Sequence, residues 1–283
     1  MTINVLCLGD VVGRPGRMVL ADHLGKFITE RDVDLVVCNA ENAAGGSGIT
    51  PQIFKKLQRY GVDVVTLGDH TFRKREVMAL LSESDRIIRP ANLLKPAVGK
   101  AWTVVETKSG RHKVGVTCAL GQMYMGCWNS PWPALEAAMA EMPDDVKVRV
   151  IDFHGEATSE KVAVGWMFDG RVSVVFGTHT HVPTADARVL DNGTAFITDV
   201  GMTGPYQSVL GRRTDRVLSA LTTTMPARFE VASGDPRMCG VLAAVDPQTG
   251  KAVSVERVEV RGRVAEGGAY DADDGKPQPQ NKT

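Results

Sequence analysis

Disulfide chemistry has little to work with in this 283-residue sequence, whose five cysteines (Cys7, Cys38, Cys118, Cys127, Cys239) are odd in number, widely spaced and form no C-x-x-C pair. Neither a disulfide framework nor a zinc ribbon is expected, and the thiols read as reduced, which fits a cytoplasmic protein. An excess of one charge is also missing, because 33 basic and 33 acidic residues leave a formal net charge of zero. Such a chain has no electrostatic drive toward sequence-independent binding of nucleic acid or an anionic membrane. No apolar run approaches the roughly 18 residues of a membrane span, and no basic n-region precedes the short apolar stretch that ends at Gly9-Asp10. No membrane association is expected.

Familiar site signatures are absent too. The loop Gly9-Asp10-Val11-Val12-Gly13-Arg14-Pro15-Gly16 follows an apolar run and opens a helical one, but it lacks the G-x-G-x-x-G register of dinucleotide binding. Ala43-Ala44-Gly45-Gly46-Ser47-Gly48 lacks the Gly-Lys-Ser/Thr ending of a P-loop. Its glycines read as positions where backbone must approach the site or take positive φ. There is no G-x-S-x-G elbow, and Cys7 and Cys38 sit inside apolar runs, where a thiol is an inert core residue.

What is present is a composition able to build one sizeable core, 43% hydrophobic and 23% charged. Short β-branched runs recur at 3–8, 34–38, 62–67, 147–153 and 172–176, each apolar nearly throughout, as buried parallel strands are. Between and after them lie helical stretches at 17–29, 51–60, 73–82, 133–142 and 158–168, the second opened by Thr50 as N-cap and Pro51 at N1. The alternation predicts an α/β layered fold with a largely parallel sheet. Hairpin signals at Ser109-Gly110 and Asp191-Asn192-Gly193, with further runs at 228–231, 237–245 and 252–260, predict a second, partly antiparallel sheet packed on the first. One domain is expected over 1–261. Residues 262–283 are rich in Gly, Asp, Pro and Gln and read as a disordered tail.

In open α/β sheets the ligand site lies beyond the carboxyl ends of the strands. The residues following the first five runs are Asp10, then Glu41-Asn42, then Asp69-His70, then His154, then His179-Thr180-His181. Singly, each has a bland reading: Asp10 could cap a helix and Asn42 could hold a turn. Together they place metal-capable side chains after five successive strands, and mixed oxygen and imidazole donors suit zinc, iron, manganese or cobalt. The remaining histidines, His23 and His112, fall in a helix and near a hairpin turn and read as surface or satisfied core residues. The segment Trp128-Asn129-Ser130-Pro131-Trp132 reads as a loop pinned to the core, with a substrate cleft as the alternative.

The same residues sit in longer strings: Gly9 to Gly16, Asn39-Ala40-Glu41-Asn42-Ala43-Ala44-Gly45-Gly46, Leu67-Gly68-Asp69-His70-Thr71, Asp152-Phe153-His154-Gly155-Glu156-Ala157-Thr158-Ser159-Glu160-Lys161, and Gly177-Thr178-His179-Thr180-His181-Val182-Pro183-Thr184-Ala185-Asp186. In that order, and continuing through Thr198 to Pro205, they resemble the YmdB-like phosphodiesterases, bacterial metallophosphoesterases of the calcineurin-like superfamily, from Ile3 to about Val260. The resemblance implies an α/β two-sheet metallophosphoesterase sandwich flanked by helices. It also implies a first metal held by Asp10, Glu41, Asn42 and His181, with Glu41 bridging, and a second completed by Asp69, His154 and His179. His70 corresponds to the proton donor. Two ions are implied, iron or manganese first and zinc or cobalt as alternatives.

The chain departs from the family where Gly-Asn-His is usual and Gly68-Asp69-His70 stands instead. An aspartate keeps an oxygen ligand but adds a negative charge beside the second ion. The expected function is hydrolysis of small phosphodiesters, with 2′,3′- or 3′,5′-cyclic nucleotides leading. The alternative, kept open by Asp69, is a metal-binding regulatory protein with little or no turnover. A nuclease acting on RNA is disfavoured by the zero net charge and by the lack of a basic run interleaved with aromatics. The oligomeric state is left open, a homo-oligomer included.

Overall fold

A computed structural model of the chain describes residues 2–94, 96–126, 128–264 and 268–274. In chain order the elements are β1 (Ile3–Leu8), α1 (Gly13–Glu30), β2 (Val33–Asn39), α2 (Pro51–Tyr60), β3 (Val64–Thr66), α3 (Val77–Glu83), β4 (Trp102–Glu106), β5 (Lys113–Leu120), α4 (Pro131–Glu141), β6 (Val148–His154), α5 (Thr158–Met167), β7 (Val174–Thr178), β8 (Arg188–Val189), β9 (Ala195–Ile197), β10 (Gly204–Gln207), α6 (Thr214–Thr223), β11 (Gly234–Val245) and β12 (Ala252–Arg261). They form two six-stranded mixed sheets.

The first sheet runs β10-β11-β1-β2-β3, with β12 on the other edge of β11, and the second runs β4-β5-β6-β7-β9-β8. This corrects one expectation. The five runs that end in metal-capable residues do not share a sheet: β1, β2 and β3 are parallel in the first, whereas β6 and β7 are parallel neighbours in the second. The antiparallel elements are divided likewise. The hairpin β4–β5 and the pair β8–β9 complete the second sheet, while β11 pairs antiparallel with β1 and closes the first. Residues 228–231 are not a strand; Val231 makes only an isolated bridge to Arg212. Helix α3 starts at Val77, later than the sequence pattern suggested.

Strand alternation explains the layering, because successive side chains point to opposite faces. Along β1, Ile3, Val5 and Cys7 face the other sheet together with Leu35, Val37, Val116, Val150 and Phe176. Leu6 and Leu8 face outward and are covered by Val19, Leu20 and Leu24 of α1 and Ile53 and Leu57 of α2. On the second sheet the outer face carries Ile151, Phe153 and Val175 under Leu135 and Met139 of α4 and Val164 of α5. Both faces of each central strand are therefore buried, which is why these runs read as continuously apolar. Cys7, Cys38, Cys118 and Cys239 are buried free thiols, and Cys127 lies outside the described residues. No helix among the described residues is long and apolar enough to cross a membrane.

Within the segment that reads as a tail, residues 265–267 and 275–283 lie outside the described residues, and 268–274 pack against the body of the fold. Arg17 pairs with Asp271 Oδ1 and Asp274 Oδ1, each at 2.7 Å. The Gly45 N–H donates to Asp274 Oδ1 at 2.7 Å, and Lys74 Nζ donates to the Asp274 carbonyl at 2.6 Å. Val231 N–H donates to the Tyr270 hydroxyl at 2.8 Å. Charge pairs and hydrogen bonds hold this stretch, with Ala269 packed against the Val12, Met202 and Val231 cluster.

Candidate metal centre

The inter-sheet face turns polar where the parallel strands end. Continuing the alternation that buries Val37, Val64, Val150 and Phe176 brings Asn39, Thr66, Asp152 and Thr178 to the same face, and all four are fully buried. They converge on Asp152, whose carboxylate accepts from Thr66 Oγ1 at 2.5 Å, Thr178 Oγ1 at 2.7 Å and Asn39 Nδ2 at 3.0 Å. Burial pushes the Asp152 carboxyl up to about 6, against the opposing pull of nearby His154 and these donors.

Two residues further along β6, on the same face, is His154. Its Nδ1 lies 2.9 Å from Thr178 Oγ1. Since the Thr178 hydroxyl gives its proton to Asp152, it accepts from His154 Nδ1–H, which aims Nε2 at the strand-end loops. There Nε2 lies 3.1 Å from Asp69 Oδ1, 3.3 Å from Glu41 Oε1 and 3.0 Å from His179 Nδ1. Ligand atoms of Glu41, Asp69, His154 and His179 all lie within 4.8 Å of one another. Gly68 permits this crowding: a Cβ there would come within 2.3 Å of Glu41 Oε2 and 2.4 Å of the His154 ring.

Asp10, Asn42 and His181 adjoin this group. Asp10 is fully buried; its Oδ2 accepts from His179 N–H at 3.0 Å. His181 Nε2 approaches Asp10 Oδ1 to 3.7 Å and Asn42 Nδ2 to 3.2 Å, while His181 Nδ1 donates to the Leu210 carbonyl at 3.0 Å. Here too a hydrogen bond at one ring nitrogen aims the other at the cluster. Asn42 Nδ2 donates to Glu41 Oε1 at 3.3 Å, and Asn42 Oδ1 lies 2.7 Å from His70 Nδ1. Turning the amide by half would bring its oxygen toward Glu41 and His181 and let its nitrogen donate to His70. His70 stands at the rim, its backbone N–H donating to Glu41 Oε2 at 2.9 Å and its Nε2 3.6 Å from Asp69 Oδ2.

The fit to cations rests on charge and on one atom. Asp10 Oδ1 is buried and has no hydrogen-bond partner. A buried carboxylate oxygen without a partner is costly unless a cation or donor faces it. Burial alone would raise the Asp10 and Asp69 carboxyls. The imidazole of His181 outweighs it for Asp10, and those of His154 and His179 for Asp69, holding both well below the usual carboxylate range. Burial likewise opposes charge on His154, yet Glu41 and Asp69 drive its pKa well above the ordinary value. Anionic oxygens and imidazoles packed this closely are a donor set suited to transition metals.

The loop bearing His179 and His181 is strained and held. Both residues have positive φ, 96° and 66°, a conformation rare outside glycine and found at sites where surrounding contacts enforce it. The enforcing group is Asp199. Its Oδ2 accepts from the Thr180 hydroxyl at 2.7 Å and from buried Lys161 Nζ at 2.6 Å, and its Oδ1 accepts from Gly201 N–H at 2.8 Å.

All eight residues anticipated from sequence are thus brought to one edge. Sequence reasoning assigned no role to Asn39, Thr66, Asp152, Thr178, Lys161 and Asp199, which orient them. A signal existed for Asp152, an acidic residue two positions before His154 on a largely apolar strand. Lys161 and Asp199 both fall in the strings that carry the resemblance, but nothing in them pairs two residues 38 positions apart.

Two facing sheets flanked by helices, with a carboxylate and imidazole cluster where their parallel strands end, define a metallophosphoesterase, a metal-dependent hydrolase of phosphate esters. More narrowly, the chain belongs to the YmdB-like protein family, whose model matches residues 6–258. The 2′,3′-cyclic-nucleotide 2′-phosphodiesterase of Bacillus subtilis (strain 168) is 41% identical over 256 residues, covering 90% of this chain and 96% of that protein. The crystal structure of a hypothetical protein from Thermus thermophilus matches with a TM-score of 0.86 at 36% identity, covering 92% of this chain and 100% of that one. That of a novel phosphatase from Mycoplasma pneumoniae matches with a TM-score of 0.85 at 33% identity, covering 92% and 94%.

Proposed function

We propose that the protein is a dimetal phosphodiesterase of small substrates, with 2′,3′-cyclic nucleotides leading and 3′,5′-cyclic nucleotides second. The observation that carries this is the convergence of Glu41, Asp69, His154 and His179 within 4.8 Å, with Asp10, Asn42 and His181 alongside. Bound there, two cations, iron or manganese first, would neutralise phosphate oxygens and lower the pKa of a coordinated water. Asp10, Asn42 and His181 would hold one ion and Asp69, His154 and His179 the other, with Glu41, which neighbours both sets, contributing to each.

His70, at the rim and able to hydrogen-bond through Nδ1 to Asn42, protonates the departing alkoxide, the ribose 2′ oxygen in a 2′,3′-cyclic nucleotide. Asp152 through Thr178, and Asp199 through Thr180, fix imidazole direction and take no part in proton transfer to substrate. The order 2′,3′ before 3′,5′ follows the activity named for the Bacillus subtilis relative.

The test is a phosphodiester panel run on protein loaded with iron, manganese or zinc. Conversion of 2′,3′-cyclic AMP to 3′-AMP, abolished by chelator and restored by metal, is expected. Metal uptake with no turnover on any diester would instead establish the regulatory reading that Asp69 keeps open.

A further inference from the structure

A cleft of ≈ 260 Å³ opens beside the cluster, lined by Asp69, Thr71, Phe72, Arg73, Leu93 and Trp128. One wall is the loop after β3, which also carries His70. The other follows β5, whose last residue, Leu120, pairs with His154, so the cleft lies on the edge where the ligands converge. Phe72, Leu93 and Trp128 give it an apolar, aromatic side, Phe72 42% exposed and Leu93 buried, while Asp69, Thr71 and Arg73 make the rest of the lining polar.

The Trp128 wall is anchored. Buried Asn92 donates from Nδ2 to the carbonyls of Leu120 at 2.8 Å and Asn129 at 2.9 Å, and its Oδ1 accepts from Leu120 N–H at 2.8 Å. Gln122 Nε2 donates to the Trp128 carbonyl at 3.3 Å. The tryptophans of this segment therefore part company. Trp132 stacks on Phe153 at 6.4 Å in the outer core, and Trp128 lines the cleft.

We infer that this cleft is the nucleobase subsite, taking the base of the substrate against Phe72 and Trp128 while the phosphodiester lies over the metal cluster. The inference rests on the phosphodiesterase reading. The leaving oxygen of a cyclic nucleotide belongs to the ribose, and the base hangs from that ribose. In a 2′,3′-cyclic nucleotide the leaving O2′ sits on C2′, next to the C1′ that carries the base, so the base lies within one ribose of the group that protonates that oxygen, and His70 is two residues from Phe72 on the same loop. Size agrees, since pockets enclosing a whole drug-sized ligand run to about 300–1,000 Å³ and this one suits a single ring system with the sugar and phosphate outside. Another cleft, ≈ 740 Å³ and bounded by Arg213, Glu230 and Tyr270, is lined by no ligand of the cluster.

Aromatic walls accept every base, because each base has a π-face. The subsite thus favours nucleotides over base-free sugars, and purines over pyrimidines by area.

The test compares kcat/KM for 2′,3′-cyclic AMP and for ribose 2′,3′-cyclic phosphate, which lacks a base, in the parent and in Phe72→Ala. The parent should prefer the nucleotide, and the preference should fall on the order of 5- to 150-fold in Phe72→Ala, the range of stacking lost to alanine. A separate readout is quenching of tryptophan fluorescence by 3′-AMP in metal-loaded protein, expected in the parent and reduced in Trp128→Phe. Equal kcat/KM for the two substrates in the parent, or an unchanged preference in Phe72→Ala, would overturn the subsite while leaving the phosphodiesterase intact. Hydrolysis of neither would overturn the phosphodiesterase reading and the subsite with it.

Discussion

The ligand side chains were legible one by one because each follows a short apolar run, and the rule that α/β sites form beyond strand carboxyl ends needs only local sequence. The residues that aim them were not legible, since their partners are distant: Asn39 meets Asp152 across 113 positions and Thr66 meets it across 86. For His70, the proton-donor role predicts that His70→Ala keeps its metal content but loses about 10²- to 10⁴-fold in rate. The loss should shrink for an aryl phosphodiester, whose leaving group needs little protonation; an equal loss on both substrates would remove His70 from that role. Asp69 is the residue where chain and family part. Its carboxylate adds a charge against His154 and His179, which should tighten cation binding while weakening the acidity that the cation confers on water. Asp69→Asn is therefore expected to bind the second ion less tightly yet match or exceed the parent rate at saturating metal, whereas Asp69→Ala loses both. A metal titration of rate for the three proteins checks this, and an inactive Asp69→Asn beside an active parent would assign Asp69 a further role.

At the level of elements, strands were easier to read than their partnership. Continuous apolar runs correctly announced strands buried on both faces, but burial on both faces is common to β1, β2, β6 and β7, so nothing in the pattern told one sheet from the other. The cluster consequently lies at a seam: β1, β2 and β3 deliver Asp10, Glu41 and Asp69 from one sheet, and β6 and β7 deliver His154 and His179 from the other. Packing of 268–274 was illegible for a different reason, because a hydropathy reading does not see Asp271 and Asp274 meeting Arg17. Helix α5 is tied to the histidine loop by the Lys161–Asp199 pair, buried on both sides. Removing one partner of a buried ion pair strands a charge and costs about 3–5 kcal/mol. Lys161→Met should accordingly lower stability by roughly that amount in denaturant unfolding, and a change below about 1 kcal/mol would show that Asp199 holds Thr180 without its help.

For the molecule as a whole, the sheets serve as two rigid supports whose polar edges meet at Asp152, and the strained loop at 179–181 persists because the fold on both sides enforces it. Zero net charge and an aromatic cleft beside the cluster favour a small diester over a long polyanion, whose binding would depend on phosphate contacts along a basic track. All of this depends on the cluster being a two-cation site with Glu41 at its centre. The most direct measurement is metal content per chain, by elemental analysis after reconstitution with manganese or iron and removal of free ion, in the parent and in Glu41→Ala. Two ions per parent chain and depletion of both in the variant are the predicted result; a parent that retains no ion, or a variant that still holds two, would contradict it.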